Sequence, residues 1–514
     1  MSKETLKEKT AKGIAWGAVN NGTVQLLNLV FGIVLARRLS ESDYGILALL
    51  TIFTTLAGCI QAAGFSQALA NLKPPTLRDY SAVFWFNTLA GFSMYILLYI
   101  AAPLIAAFFD LPELTNVARL TFLCIPVSAL GIVPNAKLWI ELRNRELAIA
   151  AILSLALSGC VGIWLAYHGY GYWSLAWQQL LFISLSSIIK WCFTRWRPLL
   201  PIDMSPIRSM FRFSSKLLLT NMLTVTSQHV LTFIFGKLFP IGVVGQFNQA
   251  NKWNTMGSSF ISNTMQQVAQ PVLTQASVGA GPVPARTETV SARTGSEPAQ
   301  DNVESPLQRQ QRVFRKMLRF TSFVVFPLML GLALVAREFI VLTITDRWLP
   351  CVPLLQMLCI GGAFMPLHTL YQNFIISCGR SDIYLRCIAL MIVLQIVVTL
   401  SLSSFGIMVM VAAFSALNVL FTLCWHFALR RVTPFPLLSA LKDTMPFFIV
   451  ALLVMATTYF LTVQLSSLNS HLSSLNSQLL TLLLSRILIA AALYVGLMKL
   501  LRSKTLEECI KFRL

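Results

Sequence analysis

The feature that most constrains this chain is its succession of long apolar runs. The first run, residues 13–36, carries no charged side chain. A helix crosses the hydrocarbon core of a bilayer with about 20 apolar residues, each rising about 1.5 Å. The chain as a whole is 56% hydrophobic and 12% charged, whereas soluble domains contain about 25% charged residues. Because long apolar runs satisfy their backbone hydrogen bonds in lipid as helices, the sequence predicts an all-α polytopic membrane protein.

The apolar runs predict about 14 transmembrane helices, arranged as two six-helix bundles and two extra C-terminal helices. The N-terminal bundle covers residues 1–194, a cytoplasmic interfacial linker 195–216, the C-terminal bundle 217–431, and the extra helices with a basic cytoplasmic tail 432–514. The linker mixes basic, proline and apolar residues, which favours a helix on the membrane surface. Residues 276–312 are rich in Gly, Pro, Ser and Glu, so we expect a disordered cytoplasmic loop there.

Polar and glycine landmarks recur at one constant offset in numbering. The matching pairs are Asn21 with Asn221, Arg37 with Lys237, and Gly45 with Gly245. Each member lies inside an apolar run or just after it, and internal repeats are common in membrane transport proteins. Coincidence is the alternative, since Asn and Gly are frequent residues, but the shared register favours a duplicated helical unit.

The distribution of basic residues predicts the orientation in the membrane. With a cytoplasmic N-terminus, most of the 40 Lys and Arg residues fall on the cytoplasmic side, as the positive-inside rule requires. The opposite side carries only Arg37, Arg38, Arg119, Lys237, Lys252, Arg337 and Arg347. An even number of spans then places both termini in the cytoplasm. The net charge of +20 faces the anionic cytoplasmic leaflet, so we expect no nucleic-acid partner.

Catalytic and metal-binding motifs are absent from the sequence. It contains no GxxxxGK[ST] phosphate loop, no HExxH, and no cluster of Cys and His with ligand spacing. We therefore expect no catalytic residue, no metal site and no cofactor. The acidic residues fall in loops or at helix ends, which leaves no obvious midspan carboxylate for coupling to protons or sodium.

Two groups of polar residues within or beside the apolar runs are the candidate binding residues. A cationic group would attract a phosphate-bearing substrate, and it consists of Lys252, Arg37, Arg119, Lys237 and Arg486. A neutral group could donate to and accept from sugar hydroxyls, and it consists of Asn21, Gln25, Asn221 and Gln228. For the basic residues near helix ends the alternative is extension of the side chain to the membrane interface. For the amides it is hydrogen bonding between neighbouring helices.

A family resemblance adds to these expectations. The opening AKGIAWGAVNNGTVQLLNLVFGIVLARRLSESDYGILALLTIF, with the later FGKLFPIGVVGQFNQANKW, resembles the bacterial lipopolysaccharide and exopolysaccharide flippases of the Wzx type. These belong to the multidrug/oligosaccharidyl-lipid/polysaccharide exporter superfamily. The chain departs from the pattern at residues 343–348, where relatives tend to have a glycine before the basic residue and Trp348.

The resemblance implies two bundles facing a central cationic cavity and alternating access. The implied substrate is an undecaprenyl-diphosphate-linked oligosaccharide repeat unit, moved from the inner to the outer leaflet of the bacterial inner membrane for O-antigen, capsule or exopolysaccharide assembly. Membrane lipids, and a polysaccharide polymerase complex, would be partners. The alternatives are a drug or metabolite antiporter of the same superfamily and, less favoured, a membrane polysaccharide polymerase or ligase. A carboxylate within the membrane would indicate the antiporter, and a large outside loop would indicate the polymerase or ligase.

Overall fold

A computed structural model describes residues 6–62, 69, 75–200, 203–278, 306–468, 475–501 and 506 of the 514. Over these residues the chain forms α-helices and two short 3-10 turns, with no β-strand. The all-α prediction is therefore confirmed. Most of the loop predicted to be disordered, residues 279–305, lies outside the described residues.

The first half of the chain forms nine helices within the described ranges. They are α1 Leu6–Arg38, α2 Glu41–Ala62, α3 Leu77–Phe108, α4 Leu114–Phe122, α5 Cys124–Ile140, α6 Asn144–Tyr167, α7 Tyr172–Thr194, α8 Ser205–Leu238 and α9 Ile241–Val278. Both α1 and α8 begin before the apolar runs that identified them. The Lys-rich or Arg-containing residues that precede those runs also have good helix propensity.

The second half adds eight helices within the described ranges. They are α10 Pro306–Leu334, α11 Ala336–Ile344, α12 Cys351–Gly362, α13 Met365–Ser377, α14 Ser381–Ser401, α15 Ile407–Arg430, α16 Leu437–Leu468 and α17 Leu475–Leu500. The pairs α4–α5 and α12–α13 are each long enough together for one crossing of a bilayer.

Over the described residues, 12 helical segments are long and apolar enough to cross a membrane. The chain is thus a multi-pass membrane protein, as predicted. Two long helices, α7 and α9, are not among the 12. In α9 the sequence Gln246–Lys252 contains three further amide side chains, which lower its hydropathy. The predicted total of about 14 spans stays a prediction.

The helices form two compact units. The first contains Met1–Gln249 and Thr343–Trp348, and the second contains Ala250–Leu342 and Leu349–Leu514. The boundary therefore falls within α9, and α8 packs with α2 and α3 in the first unit. The bundle boundaries predicted from sequence follow the proposed repeat in the chain and differ from the boundaries of these units. They stay a prediction.

The entry into α3 shows how local sequence starts a helix in the first unit. Thr76 and Asp79 form a capping box, in which each side chain accepts a hydrogen bond from the backbone N–H of the other residue. Arg78, directly before Asp79, pairs with Asp203, which precedes α8. The pKa of the Asp203 carboxyl lies below its usual range, because it accepts hydrogen bonds from the backbone and side chain of Ser205 and also from Arg78.

Candidate functional site

Two helix corners in the first unit have matching positions in the chain. Helix α1 ends at Arg38 and α2 begins at Glu41, whereas α8 ends at Leu238 and α9 begins at Ile241. The offset between the two corners equals the offset between the landmark residues in the sequence. This agreement supports the predicted duplication of the helical unit.

The first turns of α2 and α9 cross at the two glycines of the repeat. A Cβ added at Gly45 would overlap the carbonyl oxygen of Ile241, and one added at Gly245 would overlap the carbonyl oxygen of Glu41. Because Glu41 corresponds to Ile241 and Gly45 to Gly245, the two contacts are equivalent, as in an isologous interface. Only glycine allows the two backbones to approach this closely. We call these four residues the glycine crossing.

Polar contacts surround the glycine crossing. The Nε2 of Gln246 donates to Oε2 of Glu41 over 2.5 Å. On the corner between α1 and α2, Arg37 Nε donates to the carbonyl oxygen of Thr343 over 2.6 Å. Trp348 Nε1 donates to the carbonyl oxygen of Ala36 over 2.9 Å. These bonds attach the segment 343–348 to the first unit, although its first two residues end α11.

The same segment contains a strained backbone position. Thr345 has a φ angle of 84°, in the left-handed region that a β-branched residue rarely adopts. Such a conformation costs about 1–3 kcal/mol and persists where neighbouring contacts hold it. The hydrogen bonds at Thr343 and Trp348 flank Thr345 and supply those contacts.

Three of the predicted cationic residues lie in the first unit. Arg37 bonds to Thr343, as described. Lys237 Nζ lies 2.8 Å from the Asp110 carboxylate and donates to the carbonyl oxygen of Phe108 over 2.8 Å. The Arg119 guanidinium stacks over the ring of Tyr99, with its carbon 4.4 Å from the centroid, and its buried Nε has no hydrogen-bond partner. These contacts orient all three side chains.

The four predicted amides also lie in the first unit, on α1 and α8. Asn21, Asn221 and Gln228 are exposed, and Gln25 is half-buried. No hydrogen bond joins any of the four to another residue within the described part of the chain. Amides in spanning helices that do not bond to a neighbouring helix remain able to bond to a ligand. The matched residues Asn21 and Asn221 are therefore alike in exposure as well as in their place in the proposed repeat.

Lys252 lies in the second unit, about a third of the way along α9. Its side chain is half-buried, and among the described residues it has neither an ion pair nor a hydrogen bond. The next two residues fix the helix in place, because Trp253 packs edge-on against Phe339 at 5.0 Å and Asn254 abuts Gly362. Within the part of the chain that the structure describes, Lys252 is thus a basic residue without a partner on a helix that is held in place.

Arg486 on α17 has partners that the sequence did not indicate. Its Nη1 lies 2.8 Å from Oε2 of Glu338 and 3.2 Å from the carbonyl oxygen of Leu334, and its Nε lies 3.2 Å from Oγ1 of Thr462. Leu334 ends α10, so the arginine caps a carbonyl that the break before α11 leaves free. These bonds join α17 to α10, α11 and α16. The predicted role of Arg486 in substrate binding stays a prediction.

No group of three or more His, Cys, Asp or Glu residues is placed to hold a metal ion within the described ranges. Among the described residues, the first unit carries amides without hydrogen-bond partners on α1 and α8, and the second carries a lysine without an ion pair. Such polar groups on apolar helices suit binding of a polar, anionic molecule.

Comparison with solved structures defines the class of protein. The structure titled Lipid II flippase MurJ, inward closed conformation, superimposes with a TM-score of 0.68, covering 95% of this chain and 99% of that chain at 14% identity. The chain is therefore a polytopic membrane protein with a MurJ-like transporter fold.

Comparison with protein families then identifies the particular family. The model described as Polysaccharide biosynthesis protein matches residues 34–290 and 297–353, and the chain belongs to this family. Lipopolysaccharide biosynthesis protein WzxC of Escherichia coli is 21% identical, covering 74% of this chain and 72% of its own length. Succinoglycan biosynthesis transport protein ExoT of Rhizobium meliloti is 22% identical, covering 71% and 69%.

Proposed function

We propose that this protein is a flippase for lipid-linked oligosaccharides in the bacterial inner membrane. Its substrate would be an undecaprenyl-diphosphate-linked repeat unit, moved from the inner to the outer leaflet for assembly of a surface polysaccharide. The observation that carries the proposal is a MurJ-like fold over nearly the whole chain in a member of a polysaccharide biosynthesis family. The protein would act as a transporter rather than an enzyme, with both termini in the cytoplasm.

The candidate residues suit the two chemical parts of such a substrate. Lys252 in the second unit, with Arg37, Arg119, Lys237 and Arg486 as further cationic candidates, would attract the diphosphate. The unbonded amides of α1 and α8 would exchange hydrogen bonds with sugar hydroxyls, while the lipid tail stays in the bilayer. A polysaccharide polymerase complex, which would use the translocated units, is the proposed protein partner.

The glycine crossing supplies a conformational step for this function. Transport by alternating access requires two states, and the substrate must bind them with different affinity. We propose that the crossing is a contact of one state and separates in the other. Contacts through glycine backbones suit this role, because little side-chain surface has to be exposed when the helices part.

The proposal is tested by deleting the gene in its host and locating the accumulated repeat units. Spheroplasts are treated with a membrane-impermeant sugar oxidant, and the lipid-linked sugars are then extracted. We expect repeat units protected on the cytoplasmic side and loss of surface polysaccharide. A complemented strain is the control. Accumulation of single repeat units on the outer side would contradict the proposal, because it would indicate a polymerase or ligase that acts after translocation.

A further inference from the structure

A cluster of basic residues in the second unit is organised around one buried acid. The side chain of Asp443 on α16 is only 4% exposed. It accepts hydrogen bonds from Arg315 Nε over 2.7 Å, from Arg315 Nη2 over 3.2 Å and from Arg319 Nε over 2.7 Å. The two arginines lie one turn apart on α10, so the carboxylate holds both guanidinium groups side by side.

The cluster carries excess positive charge. One carboxylate balances only one of the two guanidinium groups that bind it. Four further bases are exposed on α10, on α16 and where α15 ends before α16: Arg309, Lys442, Arg430 and Arg431. Within residues 306–320 and 430–443, Asp443 is the only acidic residue. We call these six bases with Asp443 the basic collar.

The basic collar lies at the level where both helices change from charged to uncharged. After Arg319, α10 contains no charged residue up to its end at Leu334, and after Asp443, α16 contains none up to Leu468. Since α10 and α16 pack together, the two changes occur at one level. In a multi-pass membrane protein this level corresponds to the lipid headgroups.

The collar is held in place and continues into apolar surface. Gln310 Nε2 donates to the carbonyl oxygen of Leu273 over 3.0 Å, and Gln311 donates to Oγ1 of Thr433. On the uncharged side, Phe320 on α10 and Ile449 on α16 are exposed large apolar side chains. A ligand that contacts both regions would need an anionic head and hydrocarbon chains.

We propose that the basic collar binds the headgroup of an anionic phospholipid from the adjacent leaflet. Arg315 and Arg319, fixed by Asp443, would bind a phosphate through the N–H groups that the carboxylate leaves free, as paired guanidinium groups do. The surrounding bases would favour a lipid with two phosphates over a zwitterionic one. The positive-inside rule alone accounts for exposed bases, but it does not account for a buried acid that aligns two arginines.

The experiment measures lipid binding by the purified full-length protein. The probe is tetraoleoyl cardiolipin, titrated into protein in detergent and followed by native mass spectrometry, with dioleoyl phosphatidylethanolamine for comparison. The test variant is Arg315→Gln/Arg319→Gln. The control is Arg380→Gln/Arg386→Gln, which removes two bases beside the exposed Asp382 on α14. We expect the test variant to bind cardiolipin about tenfold more weakly and the control to bind as the wild type does.

Other outcomes would overturn the proposal. An equal loss in both variants would indicate attraction to general surface charge, and no loss in the test variant would exclude the collar. Competition by inorganic pyrophosphate as effective as that by cardiolipin would indicate a site for free anions. Because the test variant leaves Asp443 unpaired, Arg315→Gln/Arg319→Gln/Asp443→Asn provides a neutral version. In the wild type, cardiolipin should slow amide hydrogen exchange in residues 308–320, and unchanged exchange there would contradict the proposal.

Discussion

At the residue scale, the predicted cationic residues differ in what already neutralises them. Lys237 pairs with Asp110, and Arg486 pairs with Glu338. Lys252 has no such partner among the described residues. A charged side chain on a helix of a membrane protein is costly unless it faces a cavity or a partner. Lys252 is therefore the strongest single candidate for contact with an anionic substrate.

We expect Lys252→Ala to reduce export of lipid-linked repeat units about tenfold or more, because a hydrogen bond to a charged group contributes about 1.5–3 kcal/mol. Abundance and membrane insertion should not change. The measurement is surface polysaccharide produced by a deletion strain carrying the variant. Lys252→Arg should retain part of the activity, and Lys499→Ala, on the last turn of α17, is the control. Normal export in Lys252→Ala would remove this residue from the proposed site.

For Arg486 we expect an effect of substitution on stability rather than on export alone. Replacing it with Ala leaves Glu338 buried without its partner, and breaking a buried ion pair costs about 3–5 kcal/mol. We expect Arg486→Ala to lower the thermal unfolding temperature of the purified protein, and Arg486→Met/Glu338→Leu to recover much of the loss. An Arg486→Ala protein with unchanged stability but no export would instead support the role in substrate binding.

The sequence predicted which basic residues are unusual but not how they differ. Lys252 and Arg486 were both identified because each lies well inside an apolar run. The partner of Arg486 is 148 positions away in the chain, and no local pattern connects the two. Only packing of α17 beside α10 and α11 distinguishes a paired arginine from an unpaired lysine.

At the element scale, the glycine crossing explains why two glycines of the repeat are needed. Their numbering predicted equivalent places in two copies of a repeat, and in the structure the two glycines lie close to each other. The contact between Gly45 and Ile241 and the contact between Gly245 and Glu41 are related by the same offset. A side chain at either glycine would separate the first turns of α2 and α9.

A disulfide across the crossing should arrest transport. A Cβ added at Gly242 would lie 3.6 Å from Ser42 Oγ, the atom that the sulfur of a cysteine at position 42 would replace, so the two positions are close enough to test a disulfide. We expect Ser42→Cys/Gly242→Cys to cross-link under oxidation, to stop exporting, and to recover with a reductant. Each single variant, with the same native cysteines, is a control. Export by fully cross-linked protein would show that the crossing does not separate during transport.

At the scale of the whole molecule, the distribution of charge predicts the topology. Most basic residues lie on one side only if the number of spans is even, which brings both termini to the cytoplasm. We expect a C-terminal green fluorescent protein fusion to fluoresce and a C-terminal alkaline phosphatase fusion to be inactive. Fusions after Arg347 should give the reverse pattern. An active phosphatase at the C-terminus would contradict the proposed topology and the even number of spans.

The sequence by itself determined the class of fold, the repeated corners and the candidate residues. Each of these depends on local composition or on periodicity along the chain, because a spanning helix satisfies its own backbone and needs only enough apolar residues. The tertiary structure decided which polar groups are already bonded. It placed Gly45 beside Ile241, Arg486 beside Glu338, and Arg315 with Arg319 on Asp443. These contacts join residues more than 100 positions apart, so they depend on how helices pack and not on the sequence around either residue.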